Sequence, residues 1–287
     1  MHIPVLQKEV LEYLDPRPNE NFIDCTLGYG GHTKAILEKT EPKGKVLGID
    51  RDPEMIRNLK NIKRLTPVCE NFSNLKEIIK QQGFNRVSGI LFDLGFSSWH
   101  LEGSDRGFTF LKNEPLDMRY SIKSPLTAEK IVNYWSSWEI EKILREYGEE
   151  RFSEKISENI IKFRKVKPIE KTFQLVEVIK KATPVWYQHQ RIHFATRTFQ
   201  ALRIAVNDEL NNFIKVLPQA LEMLKKEGRL VIISFHSLED RIAKNFIRDN
   251  RNSLKVVTKK PIIPTQEEIK INPRSRSAKL RAAIKIS

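Results

Sequence analysis

Along this chain, short continuous apolar runs alternate with stretches whose apolar residues recur every three or four positions. Phe22-Ile23, Val46-Leu47-Gly48-Ile49, Gly89-Ile90-Leu91-Phe92 and Arg229 to Phe235 (RLVIISF) are the strand-sized runs. Their lack of polar alternation predicts strands buried on both faces. Helices are predicted from near His32 through Ala35, Ile36 and Leu37, from about Pro53 to Lys60, and around Asn74 to Gln82, with a further strand ending near Phe72. Four strands alternating with three helices predict a parallel sheet, whose ligand crevice opens at the carboxyl ends of the strands. Asp24, Asp50 and Asp93 end three of these strands and are expected on one rim.

After Ser97 the period changes. A polar, turn-rich stretch, EGSDRGFTFLKNEPLDMRYS, leads into helical periods at Ala128 to Tyr134, Trp138 to Tyr147, Ser153 to Phe163 and Thr172 to Lys181, with no strand runs. Thr198 to Leu224 reads as helical segments broken at Pro218 and ended by Gly228, before RLVIISF restores the sheet. Leu238 to Asp249 is a further helix and Leu280 to Ile286 a last, edge-type strand. The expected fold class is α/β with an inserted, mostly helical domain. Residues 1–104 form the first part of the core, 105–200 the insertion, and 201–287 the second part with a basic C-terminal segment.

The stretch FIDCTLGYGGHTKAILEKTEPKGKVLGIDRD carries the candidate chemistry. Gly28, Gly30 and Gly31 let backbone approach a ligand, the helix start at His32 offers N–H groups to an anion, and Asp50 lies where an acid can bind two ribose hydroxyls. The spacing D-x-T-x-G-x-G-G lacks the third glycine of G-x-G-x-x-G, and no GK[ST] follows, so a dinucleotide and a triphosphate fit less well than S-adenosylmethionine. NAD, and a tight turn with no ligand, remain as alternatives. Phe72 is placed to pack on adenine, or belongs to the core. Asp93 and His100 follow the fourth strand, where Asp93 could equally be a helix cap.

In SFHSLEDR, Ser237 and Asp240 resemble a capping box, which leaves His236 as the residue that capping does not explain. His189 and His193 have the i, i+4 spacing of a zinc site, but HQRIH lacks the glutamate of H-E-x-x-H and a third ligand, so no metal is expected. No G-x-S-x-G elbow occurs. The 287 residues hold no apolar run long enough to span a bilayer and no leader-like start. Two cysteines, Cys25 and Cys69, suit a reducing cytoplasm and two buried thiols.

Charge adds a partner. Fifty Lys+Arg against 36 Asp+Glu leave a net +14, and beyond Arg251 a dense basic run meets only Glu267 and Glu268. Such an excess favours a polyanion, although a solvated basic face explains it too. Arg106 in DRGFTF, Arg119 in PLDMRY, and Arg197 and Arg203 in HFATRTFQALRI are interleaved with Phe108, Phe110 and Phe199. Arginine pairs with phosphate and stacks on bases, yet a structural ion pair explains each one equally well. With Arg274 and Arg276 of NPRSRSAKLR they form the candidate RNA surface.

HIPVL, DCTLGYGGH, GIDRDP, DLGFSS, RGFTF, PLDMR, YGEERF, ATRTFQALRI, ISFHSLEDR and NPRSRSAKLR together resemble, in order and from His2 to about Arg281, the RsmH (MraW) family. The resemblance implies a Rossmann-like methyltransferase core interrupted by a helical domain that helps hold the target. It also implies methyl transfer from S-adenosylmethionine to N4 of a cytidine in the decoding region of 16S ribosomal RNA, with the RNA expected in a small-subunit particle, by a protein for which a homodimer stays open. Gly30, Gly31 and His32 would then bind the methionine end of the donor and Asp50 its ribose, with Phe72, Asp93 and His100 completing the pocket. His100 departs from the family's usual glutamine, and Phe194 from its usual proline. Asp93 and His236 are the candidate catalytic or substrate-contacting residues. The rivals are an NAD-dependent oxidoreductase and a non-catalytic RNA-binding protein.

Overall fold

The apolar runs become strands and the periodic stretches become helices. The computed structural model describes residues 3–57 and 59–287. His2 of HIPVL and Asn58 of the helix expected over 53–60 lie outside the described residues. In chain order the elements are α1 (Gln7–Leu14), β1 (Asn21–Asp24), α2 (Gly31–Lys39), β2 (Val46–Asp50), α3 (Pro53–Arg57), β3 (Leu65–Cys69), α4 (Leu75–Gln81) and β4 (Val87–Asp93). Then come α5 (Ser98–Glu102), α6 (Ala128–Tyr134), α7 (Ser137–Gly148), α8 (Ser153–Arg164), α9 (Thr172–Ala182), α10 (Val185–Gln188) and α11 (Thr196–Asn207). The chain ends with α12 (Glu209–Met223), β5 (Leu224–Ser234), α13 (Ser237–Asp249), β6 (Leu254–Val256), α14 (Gln266–Ile271) and β7 (Lys279–Lys285). No helix among the described residues is long and apolar enough to cross a membrane.

Two compact units divide the chain. The sheet unit runs to Phe96 and resumes at Leu210–Ser287, and the helical unit is Ser97–Glu209. These breaks replace the ones expected at 104/105 and 200/201. The second expected break would cut α11, whose Phe199, Leu202 and Val206 are buried in the core of the helical unit.

The sheet has seven strands in the order β3-β2-β1-β4-β5-β7-β6. β1 to β5 pair in parallel, as expected, and β7 runs antiparallel to both its neighbours. Successive residues of the central strands enter opposite cores. Ile23, Ile90, Phe92 and Ile232 pack with α4 and α12, while Phe22, Leu91, Val231 and Ile233 pack with α1 and α2. That double burial is why these strands read as unbroken apolar runs. β1 lies between β2 and β4, and the connections leaving the adjacent strands β1 and β4 run to opposite sides, so a crevice opens at their carboxyl ends.

Three expectations are corrected. The last strand is not at the edge, because β6, only three residues long, pairs outside it. Pro218 does not break the helix. It sits inside α12 and removes only the bond to the carbonyl of Ile214, an exposed residue where water can substitute. The break falls instead at Asp208, which caps α11 in a left-handed conformation at φ +51°. Gly228 ends no helix either; it lies in an irregularity of β5, where Val87 pairs with Leu224 but Gly89 with Arg229.

The helical unit is organised by local caps. Thr127 accepts the Lys130 N–H at the start of α6, and Ser136 and Glu139 form a reciprocal box at the start of α7. Ile140, Ile143 and Leu144 of α7 then face a core shared with Ile156 and Ile160 of α8 and Leu175, Val178 and Ile179 of α9.

Candidate active site

The turn after β1 is tied to the ends of the two strands beside it. The Cys25 N–H donates to the Leu91 carbonyl of β4 and the Leu27 N–H to the Ile49 carbonyl of β2, each at 2.9 Å. Gly28 and Gly30 take φ values of +50° and +71°, which side chains resist. The Gly28 N–H donates to Asp50 Oδ2 at 2.9 Å, so the acid ending β2 clamps the turn. Gly30 is the N-cap of α2 and supplies no capping side chain, which leaves the helix start suited to an anion. Gly31 has a packing reason as well, since a Cβ there would lie 2.4 Å from Pro4 Cγ.

Asp24 is buried and anchors the turn from within. It accepts the Thr33 hydroxyl at 2.7 Å and the Thr26 N–H at 3.1 Å. Burial raises its pKa above the ordinary aspartate value, against the pull of the Thr33 hydrogen bond. Thr26 Oγ1 accepts the Asp93 N–H at 2.7 Å, so the end of β4 is fixed through Thr26 to Asp24. The sequence reading passed over Thr26 and Thr33. The signal was the D-x-T spacing and a threonine one turn into a helix beside a buried acid.

His32 and Asp93 meet on this rim. His32 Nε2 stands 3.5 Å from Asp93 Oδ2. Both ring nitrogens of His32 and Asp93 Oδ1 are buried without a hydrogen-bond partner. Buried polar atoms are normally matched, and an acid and an imidazole left unmatched in a strand-end crevice are what a polar ligand would satisfy. Asp93 caps no helix, since α5 begins with Ser97 at its N-cap. Asp50, half-buried, also accepts the Asp52 N–H at 2.9 Å. Phe72 opens a 3-10 turn capped by Asn71 and packs its ring edge to face on Phe92, with centroids 5.8 Å apart. The sheet unit therefore brings Gly30, Gly31, His32, Asp50 and Asp93 onto one rim built by β1, β2 and β4, with Phe72 just beyond β3.

Residues 1–286 match the MraW methylase family. The chain belongs to that family. Among its relatives, Ribosomal RNA small subunit methyltransferase H of Thermosipho melanesiensis is 49% identical over 290 residues, covering 99% of this chain and 98% of the relative. The same-named protein of Heliobacterium modesticaldum is 45% identical over 308 residues, with 99% and 98% covered. A Clostridium thermocellum protein assigned as an rRNA methylase superposes with a TM-score of 0.50 over the whole of both chains at 13% identity, a likeness of fold.

The other candidates of this MraW-family chain have internal partners. His100 belongs to the helical unit, where its Nδ1 lies 2.9 Å from Ser97 Oγ and its ring packs on Phe108 and Tyr120. His236 is itself the N-cap of α13. Its Nδ1 accepts the Glu239 N–H at 3.5 Å, while Glu239 reaches back to the Phe235 N–H. Capping therefore accounts for Nδ1 of His236, with Ser237 the first helical residue instead, while its buried Nε2 stands 3.2 Å from Glu239 Oε1 without a hydrogen bond. Asp240 serves elsewhere, holding Arg281 through two bonds.

Arg119 clamps Asp117 with two bonds, Arg203 clamps Glu209, Arg106 donates to the carbonyls of Arg119 and Tyr120, and Arg197 to that of Glu149. Arg274 and Arg276 are exposed on a 3-10 turn of the sheet unit. His189 and His193 lie beyond the end of α10 rather than on a helix, and His193 stacks on Phe110 and Phe194. Cys25 is buried, its thiol pKa pushed up by burial, but Cys69 is exposed, contrary to the expectation of two buried thiols.

Proposed function

We propose that this MraW-family protein transfers the methyl group of S-adenosylmethionine to N4 of a cytidine in the decoding region of 16S ribosomal RNA, with a small-subunit particle as substrate. The observation that carries the reading is the unmatched pair of Asp93 and His32 beside the glycine turn. The name carried by its relatives, Ribosomal RNA small subunit methyltransferase H, directs the reaction to small-subunit RNA.

The residues fit the donor. The start of α2, with Gly30, Gly31 and His32, would take the carboxylate of its methionine end. Asp50 would take its ribose hydroxyls, since each carboxylate oxygen accepts more than one hydrogen bond. Phe72 would pack on adenine. When bound, the donor supplies a methyl group already activated on a sulfonium. Asp93 Oδ1 accepts one N–H of the cytosine amino group, which draws the nitrogen lone pair out of conjugation with the ring. As the N–C bond forms and the S–C bond of the donor breaks, the neutral thioether leaves, and the amino group then gives up one proton to restore a neutral N4. Thr26 and Asp24 fix the backbone of Asp93 so that the acceptor keeps its place, and alignment with exclusion of water supplies the rest. The cytidine has to leave any stack or pair to reach such a crevice, which favours an exposed RNA segment.

Methyl transfer from labelled S-adenosylmethionine to small subunits lacking their own cytidine N4 methylation, followed by nucleoside mass spectrometry, tests this reading. N4-methylcytidine is the expected product. Label in another nucleoside would keep the donor and overturn the target. Thermal stabilisation by S-adenosylmethionine without transfer would favour a non-catalytic RNA-binding protein, and stabilisation by NAD alone an oxidoreductase.

A further inference from the structure

The helical unit engages Arg106, Arg119, Arg197 and Arg203 with its own backbone and acids, and residues held exposed for contact lie elsewhere in it. The turn between α7 and α8 and the short α10 carry such residues. Tyr187 of α10 donates its hydroxyl to buried Glu150 at 2.8 Å, and the other Glu150 oxygen accepts the Phe152 N–H at 2.9 Å. Gln188 donates to the carbonyls of Lys180 and Thr183, so the last two residues of α10 are tied down. Just ahead of these ties Trp186 is held 53% exposed and Val185 69% exposed. The Arg151 guanidinium lies 5.1 Å from the Trp186 ring centroid and 5.5 Å from that of Phe152, and the two rings meet edge to face at 5.9 Å.

An indole fixed in place yet left in water does little for the fold, and exposed apolar surface of this kind marks a contact site. The charge around it chooses the partner. From Val178 to Asn207 the chain has no Asp or Glu, although 36 of its 287 residues are acidic, and Lys180, Lys181 and Arg191 of that stretch are exposed. On the α7–α8 side Glu149 and Glu154 are exposed, while Glu150 is already spent on Tyr187 and Phe152. A rigid aromatic face, a guanidinium beside it and a basic surround are the elements with which proteins hold single-stranded nucleic acid.

We propose that Trp186, supported by Arg151 and Phe152, is a stacking platform for a base of the substrate RNA other than the reacting cytidine. The proposal rests on the ribosomal RNA reading of the active site.

The full-length protein is titrated into a short fluorescein-labelled oligouridine and binding is followed by anisotropy, for wild type and for Trp186→Ala, Trp186→Leu and Trp186→Phe. The Ala and Leu variants are expected to bind about tenfold more weakly and the Phe variant within about threefold of wild type, because a base needs a ring face rather than apolar bulk. Unchanged thermal midpoints certify folding, and the Leu variant, which keeps the bulk, carries the test if Ala disturbs α10. On small subunits the loss is expected in KM, with kcat retained. Wild-type affinity in both the Ala and Leu variants, or no oligouridine binding by wild type, overturns the platform and leaves the face to a protein partner. If N4-methylcytidine forms while Trp186 proves indifferent, the reaction stands and the platform falls. If no methyl is transferred yet the Ala variant loses oligouridine, the reverse holds.

Discussion

The two units differ in which of their charged or ionisable buried groups they leave without hydrogen bonds. In the sheet unit both ring nitrogens of His32 and Oδ1 of Asp93 are buried without a hydrogen bond, although the two side chains stand 3.5 Å apart at the rim. In the helical unit Arg203, 9% exposed, makes two bonds to Glu209, Glu150 is matched by a hydroxyl and an N–H, and Asn207 donates to the carbonyls of Met118 and Arg203. Thr198 Oγ1 is a counter-case there, but a neutral hydroxyl costs far less to leave unmatched than a carboxylate. The difference teaches where to look for function. A motif arginine among aromatics is as good a scaffold as an RNA contact, whereas a carboxylate oxygen buried without a hydrogen bond is expensive and persists where a ligand repays it.

The most severe way to break this comparison is Arg203→Ala. Removing the guanidinium leaves Glu209 almost buried without its ion-pair partner, and loss of one member of a buried pair costs about 3–5 kcal/mol. Urea unfolding of the intact chain is expected to show that loss, with Arg203→Lys intermediate because a single ammonium cannot reproduce the two-bond clamp. Unchanged stability combined with weaker RNA binding would move Arg203 to the RNA surface and erase the contrast between the units.

Asp93→Ala should do the reverse. The side chain has one oxygen buried without a hydrogen bond, so its removal is expected not to lower stability and to raise it by up to about 1–3 kcal/mol. Single-turnover methyl transfer should fall at least about 100-fold, equivalent to about 2.7 kcal/mol of barrier. A wild-type rate in this variant would remove Asp93 from the chemistry and leave the unmatched carboxylate without a purpose.

The core strands were legible because burial on both faces leaves no polar position except at the strand end, which is also why Asp24, Asp50 and Asp93 stood out. The helices over 128–134 and 153–163 were legible from period and caps. β6 was not, because the three residues Leu254-Lys255-Val256 have too little pattern to count, and the inner position of β7 depends on that pairing. The partners of the arginines were illegible for a different reason. Asp117 lies two residues before Arg119 and Glu209 six after Arg203, spacings that only the folded turns bring into register. The capping role of His236 was missed because histidine is not among the usual N-cap residues.

The finest test concerns a group that the helical unit matches only while it is neutral. His193 Nδ1 accepts the Ala195 N–H at 3.2 Å, and its ring stacks on Phe110 at 4.5 Å and Phe194 at 4.3 Å between centroids. Burial holds its pKa below the ordinary histidine value. In the unfolded chain the ring takes up a proton near about pH 6.5, while in the folded chain it stays neutral to lower pH. Its contribution to stability is therefore full above about pH 6.5 and is lost as pH falls through the lower folded value. Thermal midpoints of wild type and His193→Phe between about pH 8 and pH 5 should converge or cross on acidification, by a small amount because the ring is partly exposed. A difference that does not vary with pH would mean that protonation of this ring is indifferent to the fold, and the Nδ1 contact would then be no better a match than the sheet unit provides for His32.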